Sequence, residues 1–186
     1  YNVASKIFHS KSKFAGRTGK NNILVFKMLT IGFINTSSDY LFDPFKGDPH
    51  THFHLLTHLE NQLQGKVDLK LIDLRGIERK FAVKHIPECD IYLHSVYTLD
   101  WNEQIHLVQD LRAIYPQAKH IAGGPHLSYF PDESAKHFDA LIFGDGEDSV
   151  LTAINDFWKN SLQKSYQQPR KIDINQYPVP LRKYLP

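Results

Sequence analysis

The stretch DIYLHSVYTLDWNEQIHLVQDLRAIYPQAKHIAGG, residues 90–124, decides the fold. It opens on DIYLHSVY (90–97), rich in β-branched and aromatic residues, which reads as a strand. Trp101, Ile105, Val108, Leu111 and Tyr115 then recur at helical spacing, so residues 101–115 form an amphipathic helix, with Pro116 beyond its end. AKHIAGG (118–124) is a second short strand that runs into two glycines. A strand, a helix and a strand in this order form a crossover unit, whose strands are parallel.

The same alternation continues on both sides. Downstream, FDALIF (138–143) is a strand, and residues 146–158 are a helix built on Val150, Leu151, Ile154 and Phe157. Upstream, LTIGFIN (29–35) is a short apolar strand followed by a polar loop, Thr36 to His50. Phe53, Leu56, Leu59 and Leu63 mark a helix that Gly65 ends. VDLKLIDL (67–74) alternates at Val67, Leu69 and Leu71, as a strand with one wetter face does at a sheet edge. The pattern predicts an α/β, Rossmann-like (flavodoxin-like) fold. Its open parallel sheet has five strands in the order 2-1-3-4-5, with helices on both faces.

Composition narrows the function classes. With 186 residues, 41% hydrophobic and 23% charged, the chain is one globular domain with tails. No apolar run approaches the roughly 18 residues of a membrane span, so no membrane partner is expected. Cys89 is the single cysteine, which excludes an internal disulfide framework and a cysteine-ligated cluster within the chain. Residues 1–27 carry six Lys/Arg and no acid. Residues 28–160 carry eleven Lys/Arg against nineteen acids, a balance of −8. An acidic body with basic ends lacks the positive face that nucleic-acid binding needs.

The only methionine is Met28, where the apolar periodicity begins, so residues 1–27 read as an N-terminal extension. Residues 161–186 hold four of the ten prolines and read as an extended linker leading to a further domain. The body of the domain is then 28–160.

In open parallel sheets ligands bind beyond the carboxyl ends of the strands, so function belongs in the loops 36–50, 95–100, 123–130 and 144–147. Gly123-Gly124 directly after a strand lets a flat ligand approach the backbone, although a plain turn also explains an isolated pair. In Gly144-Asp145-Gly146-Glu147, Asp145 can cap the last helix and Glu147 sits in its first turn. Those two acids argue against a phosphate at that helix start. Asp48 stands two residues before His50 and can orient its imidazole as a metal ligand; an Asx turn is the plain alternative. His50, His54 and His58 share a helical face, with His52 beside them. A histidine-ligated metalloenzyme rests on these four alone.

Two resemblances add to this reading. Asp48-x-His50-x-x-Phe53, then Ser95-x-Tyr97, then Gly123-Gly124 resembles the cobalamin-binding fingerprint of vitamin-dependent mutases and methionine synthases. That likeness implies His50 as a cobalt ligand oriented by Asp48. The chain departs from it at Phe53, where the family has glycine. Over residues 28–186, IAGGPHLSYFPDES (121–134), DALIFGDGEDSV (139–150) and INQYPVPLRKYLP (174–186) resemble the amino-terminal domain of cobalamin-dependent radical SAM enzymes. Many members of that branch lack a cobalt-ligating histidine.

The second resemblance implies cobalamin bound by Ser95, Tyr97, Thr98, Gly123, Gly124, Pro125, His126, Gly144, Gly146 and Glu147. It also implies a radical SAM domain in cis, holding a four-iron four-sulfur cluster and S-adenosylmethionine. The full enzyme would be cytoplasmic and transfer a methyl group to a small-molecule or peptide substrate. The cluster's three cysteines are absent from this chain, so the piece carries no catalytic residue of its own. The alternative class is a stand-alone flavodoxin-like binding or regulatory domain. A phosphoacceptor receiver is disfavoured because the first strand ends in Asn35-Thr36 and the third in Tyr97-Thr98. A dinucleotide oxidoreductase is disfavoured because no GxGxxG follows the first strand.

Overall fold

A computed structural model describes residues 28–168, 171 and 173–185. The N-terminal extension expected at 1–27 lies outside them. In chain order the main elements are β1 (Leu29–Asn35), α1 (His50–Leu63), β2 (Val67–Asp73), α2 (Arg79–Ala82), β3 (Ile91–Ser95) and α3 (Trp101–Ile114). They continue with β4 (Lys119–Gly123), α4 (Pro125–Tyr129), α5 (Pro131–Ser134), β5 (Ala140–Phe143), α6 (Glu147–Trp158) and β6 (Ser165–Gln167). The sheet is parallel throughout, in the order β2-β1-β3-β4-β5-β6. None of the helices among the described residues is long and apolar enough to cross a membrane.

Period-two alternation sends each strand's residues to two cores. Ile31, Phe33, Leu93, Ile121 and Ile142 face α1 and α6, meeting Leu55, Leu56, Leu59, Val150 and Ile154. Tyr92 and Ile34 face the other way, onto Leu107 and Leu111 of α3; Ala122 and Leu141 pack with Val108 on the same helix. β2 lies at the edge, and most of its residues are only half-buried. Helix α1 stops where Gln64 turns left-handed (φ 43°), followed by Gly65 (φ 73°).

The sheet has six strands, not five. The sixth, Ser165–Gln167, pairs with β5 inside the stretch the sequence marks as a linker. Three residues, two of them exposed, give no readable alternation. The strand is held instead by Tyr166, whose hydroxyl donates to Asp156 Oδ2 at 3.1 Å and accepts from Gln163 N at 2.7 Å. Beyond it the chain crosses α1. Leu181 N donates to Thr57 Oγ1 (3.0 Å), Arg182 pairs with Asp48 (2.8 Å), and Lys183 and Tyr184 both bond Glu60 (2.6 and 2.8 Å).

Candidate functional site

A cleft of about 230 Å³ opens at the carboxyl ends of β1, β3, β4 and β5. Its floor is apolar: Phe33, Leu93, Ile121 and Ile142 rise from the sheet, and Leu55 and Val150 close over them from α1 and α6. Its mouth is formed by three loops. The first brings Ser95 and Tyr97, the second Gly123, Gly124 and Pro125, the third Gly144, Asp145, Gly146 and Glu147. Eight of the ten residues singled out in sequence as cofactor-binding therefore line one cleft. They converge because each follows a parallel strand at the same edge of the sheet.

Thr98 and His126 lie away from it. Thr98 Oγ1 is 3.1 Å from His126 Nδ1, and the His126 ring is buried between Trp101 (4.2 Å) and Phe130 (4.8 Å). Their contact ties the two loops together rather than lining the cavity. The same loops are knitted by the backbone: Val96 N donates to Gly123 O (2.8 Å) and His126 N to Val96 O (3.2 Å).

The two adjacent glycines have different tasks. Gly124 holds φ 107°, ψ 171°, a region open essentially to glycine alone. A Cβ there would stand 2.6 Å from Val96 O and 2.8 Å from Val96 N. Gly124 thus makes room for the Val96 backbone while also lining the cleft. A Cβ on Gly123 meets only Ile142, at an ordinary 3.5 Å.

The N-cap position of helix α6 is Gly146, and Asp145 just before it lines the cleft. Glu147 is 7% exposed. Its Oε1 lies 3.0 Å from His54 Nδ1, while its Oε2 is buried and has no hydrogen-bond partner among the described residues. The sequence offers no sign of this pair, because the two residues stand far apart in the chain on different helices.

The four histidines of α1 do not act as a group. His50 is exposed and lines a separate groove of about 570 Å³ with His54, Tyr177 and Pro178. Asp48, expected to orient His50, is paired with Arg182. His52 packs on Phe33 (4.1 Å), and its Nε2–H donates to Ile34 O at 3.1 Å. Burial lowers its pKa to about 4, so the ring is neutral at ordinary pH. His54 turns to Glu147, and His58 faces Asp148 at 3.9 Å and the ring of Tyr177. Among the described residues no three His, Cys, Asp or Glu side chains come together as a metal-holding group. That removes the geometric basis for a histidine-ligated metalloenzyme.

A buried acid pair went unsuspected. Asp100 accepts from Tyr97 N (2.9 Å) and Thr36 Oγ1 (3.1 Å), and Glu103 accepts from Ser37 N (2.8 Å) and Ser37 Oγ (2.9 Å). Burial, with Glu103 nearby, pushes the Asp100 pKa up to about 6. The pair fastens the start of the 36–49 loop to α3 and thereby places Tyr97 at the mouth of the cleft. In sequence Asp100 looks like an ordinary residue preceding a helix.

No family model matches the chain. An uncharacterized protein of Methanocaldococcus jannaschii, MJ0966, is 31% identical over 102 residues, covering 48% of this chain and 22% of that protein. Among solved structures, the chain resembles a cobalamin-dependent S-adenosylmethionine radical enzyme, OxsB, determined with aqua-cobalamin bound. The TM-score is 0.60 at 16% identity, over 74% of this chain and 20% of that one. The likeness to OxsB is one of fold. The chain spans about a fifth of the length of each of these proteins.

Proposed function

We propose that this chain is the cobalamin-binding domain of a cobalamin-dependent radical SAM enzyme. The observation that carries the reading is the convergence of Ser95, Gly123 and the 144–147 turn on one apolar cleft at the strand ends. The shared fold with OxsB supports it. The residues fit such a cofactor. An apolar floor excludes water from a nucleotide base, and the walls at Gly123 and Gly146 carry no side chain. A cleft of this size takes only part of so large a group, which leaves the remainder to the rim around Tyr97.

Within this reading cobalamin supplies a cobalt centre able to carry a methyl group. The chain's own residues bind and orient it: Ser95 offers a hydroxyl to the tail, Tyr97 an aromatic rim, and the β-strand side chains a dry floor. His50 takes no part, since it lies in the neighbouring groove with Asp48 engaged elsewhere. We assign the iron–sulfur cluster, S-adenosylmethionine, a small-molecule or peptide substrate and methyl transfer to a radical SAM domain in cis. A cytoplasmic location belongs to the same proposal.

The test is direct. The full chain is incubated with hydroxocobalamin, desalted and read by visible absorbance. Retention of the corrin bands is expected. A folded chain that emerges colourless overturns the reading.

A further inference from the structure

Behind the cleft, on the α3 side of the sheet, three buried polar side chains are linked in a row. They are Gln104 of α3, His94 of β3 and His120 of β4, and none is more than 2% exposed. His94 Nδ1 lies 2.8 Å from Gln104 Oε1, and His94 Nε2 lies 3.1 Å from His120 Nδ1. At the other end of the row, the Gln104 amide nitrogen is 3.4 Å from Ser95 O, and the Asp100 side chain also accepts from Gln104. Ser95 and Tyr97 line the cleft, and Asp100 holds Tyr97 N at 2.9 Å. The row therefore runs from the middle of the sheet to both residues of the first rim loop.

Chemistry fixes the direction of every bond in it. Ser95 O only accepts, so the Gln104 amide must turn its NH2 group to the rim and its oxygen to His94. His94 then donates from Nδ1. Burial lowers the pKa values of His94 and His120 to about 4 and about 2, so each ring is neutral and carries one proton. With its proton on Nδ1, His94 accepts at Nε2, and His120 must donate from its own Nδ1. His120 Nε2 is left as a bare lone pair, and it has no partner among the described residues. Both histidines thus hold the Nδ1–H tautomer, and the amide of Gln104 has one allowed orientation. We infer that Gln104, oriented by His94 and His120, is a positioning residue of the cleft mouth: it fixes the Ser95 carbonyl and, through Asp100, the Tyr97 backbone where a ligand meets them. The inference rests on the reading of the cleft as a cobalamin site and adds the residues that hold its rim from behind.

The experiment uses the full chain, labelled with heavy nitrogen for magnetic resonance. At neutral pH the wild-type spectrum should show His94 and His120 both protonated at Nδ1 and bare at Nε2. Affinity for hydroxocobalamin is then compared in three variants, each checked for folding by circular dichroism in urea. Gln104→Met keeps the length of the side chain and loses its donors and acceptor, and should bind roughly tenfold more weakly or worse. His94→Leu should do the same, having no donor for Gln104 Oε1. His94→Asn sets an amide N–H near the place of Nδ1–H and should bring binding back to within about threefold of wild type. Both His94 variants lose the contact with His120, so a merely structural role would weaken them alike. An Nε2–H tautomer at either histidine overturns the inference, whether or not any variant folds. So does undiminished affinity in folded Gln104→Met, or binding by His94→Asn no better than by His94→Leu. A wild-type chain that retains no hydroxocobalamin defeats the cobalamin reading instead. The positioning is then tested without ligand by exchange of the Tyr97 amide proton, which should be slow in wild type and fast in Gln104→Met; equal rates overturn it.

Discussion

Gly123 and Gly124 stand side by side, and replacing each with alanine should give opposite phenotypes. At Gly124 the new methyl meets the Val96 backbone at 2.6 and 2.8 Å. That backbone cannot retreat, because Val96 N is bonded to Gly123 O and Val96 O receives His126 N. The φ of 107° adds strain of about 1–3 kcal/mol, and overpacking adds about 1–3 kcal/mol more. A combined loss of roughly 2–6 kcal/mol is a large share of the stability of a single domain, so the melting temperature should fall by roughly 10 °C. At Gly123 the nearest atom is Ile142 Cβ at 3.5 Å, and φ is not positive. The stability of Gly123→Ala should therefore stay within about 1 kcal/mol of wild type. Its methyl projects into the cleft and should weaken hydroxocobalamin binding about tenfold or more. Urea unfolding followed by circular dichroism and an absorbance titration read the two effects separately. A Gly124→Ala chain as stable as wild type would refute the packing argument. A folded Gly123→Ala chain with undiminished affinity would place the ligand elsewhere.

Stability should also fall on acidification. His52 and His94 are buried with pKa values lowered to about 4, so the unfolded chain takes up protons near pH 6.5 that the folded chain refuses. Their contribution, on the order of 3 kcal/mol each, is fully present above pH 6.5 and is lost as the pH falls toward 4. Asp100 works in the opposite sense: its raised pKa of about 6 favours the folded state at low pH, and that contribution is lost as the pH rises through 6. Urea midpoints between pH 7.5 and 4.5 should thus decline toward acid, with the histidines outweighing the single aspartate; a flat profile contradicts the assignment. In His50→Ala the visible spectrum of bound cobalamin should match wild type and the affinity should stay within a few-fold. A shift to a water-ligated spectrum would restore His50 as a cobalt ligand.

The sheet order was legible because each strand announces itself by a run of alternating or β-branched residues, and because VDLKLID exposes one face as an edge strand does. The cleft was legible through chain logic: loops after parallel strands meet at one edge. What escaped depends on partners distant in sequence. Nothing in SYQ marks a strand until β5 stands beside it. The histidines of α1 look alike at helical spacing, yet His52 turns under the sheet's end to Ile34 O while His54 turns to α6. The double glycine reads as clearance for a ligand, whereas half of it is clearance for Val96.

The clasp across α1 bears on how the molecule comes into being. Thr57 and Glu60 receive their partners from Leu181, Lys183 and Tyr184, more than 120 residues later in the chain. During synthesis the first helix therefore emerges with its outer side uncovered. It stays so until residues 181–184 have left the ribosome. Contacts of such long reach close slowly. Until then the chain must hold α1 on the sheet by its apolar face alone, and the clasp over Thr57 and Glu60 follows only after the whole sheet has been made.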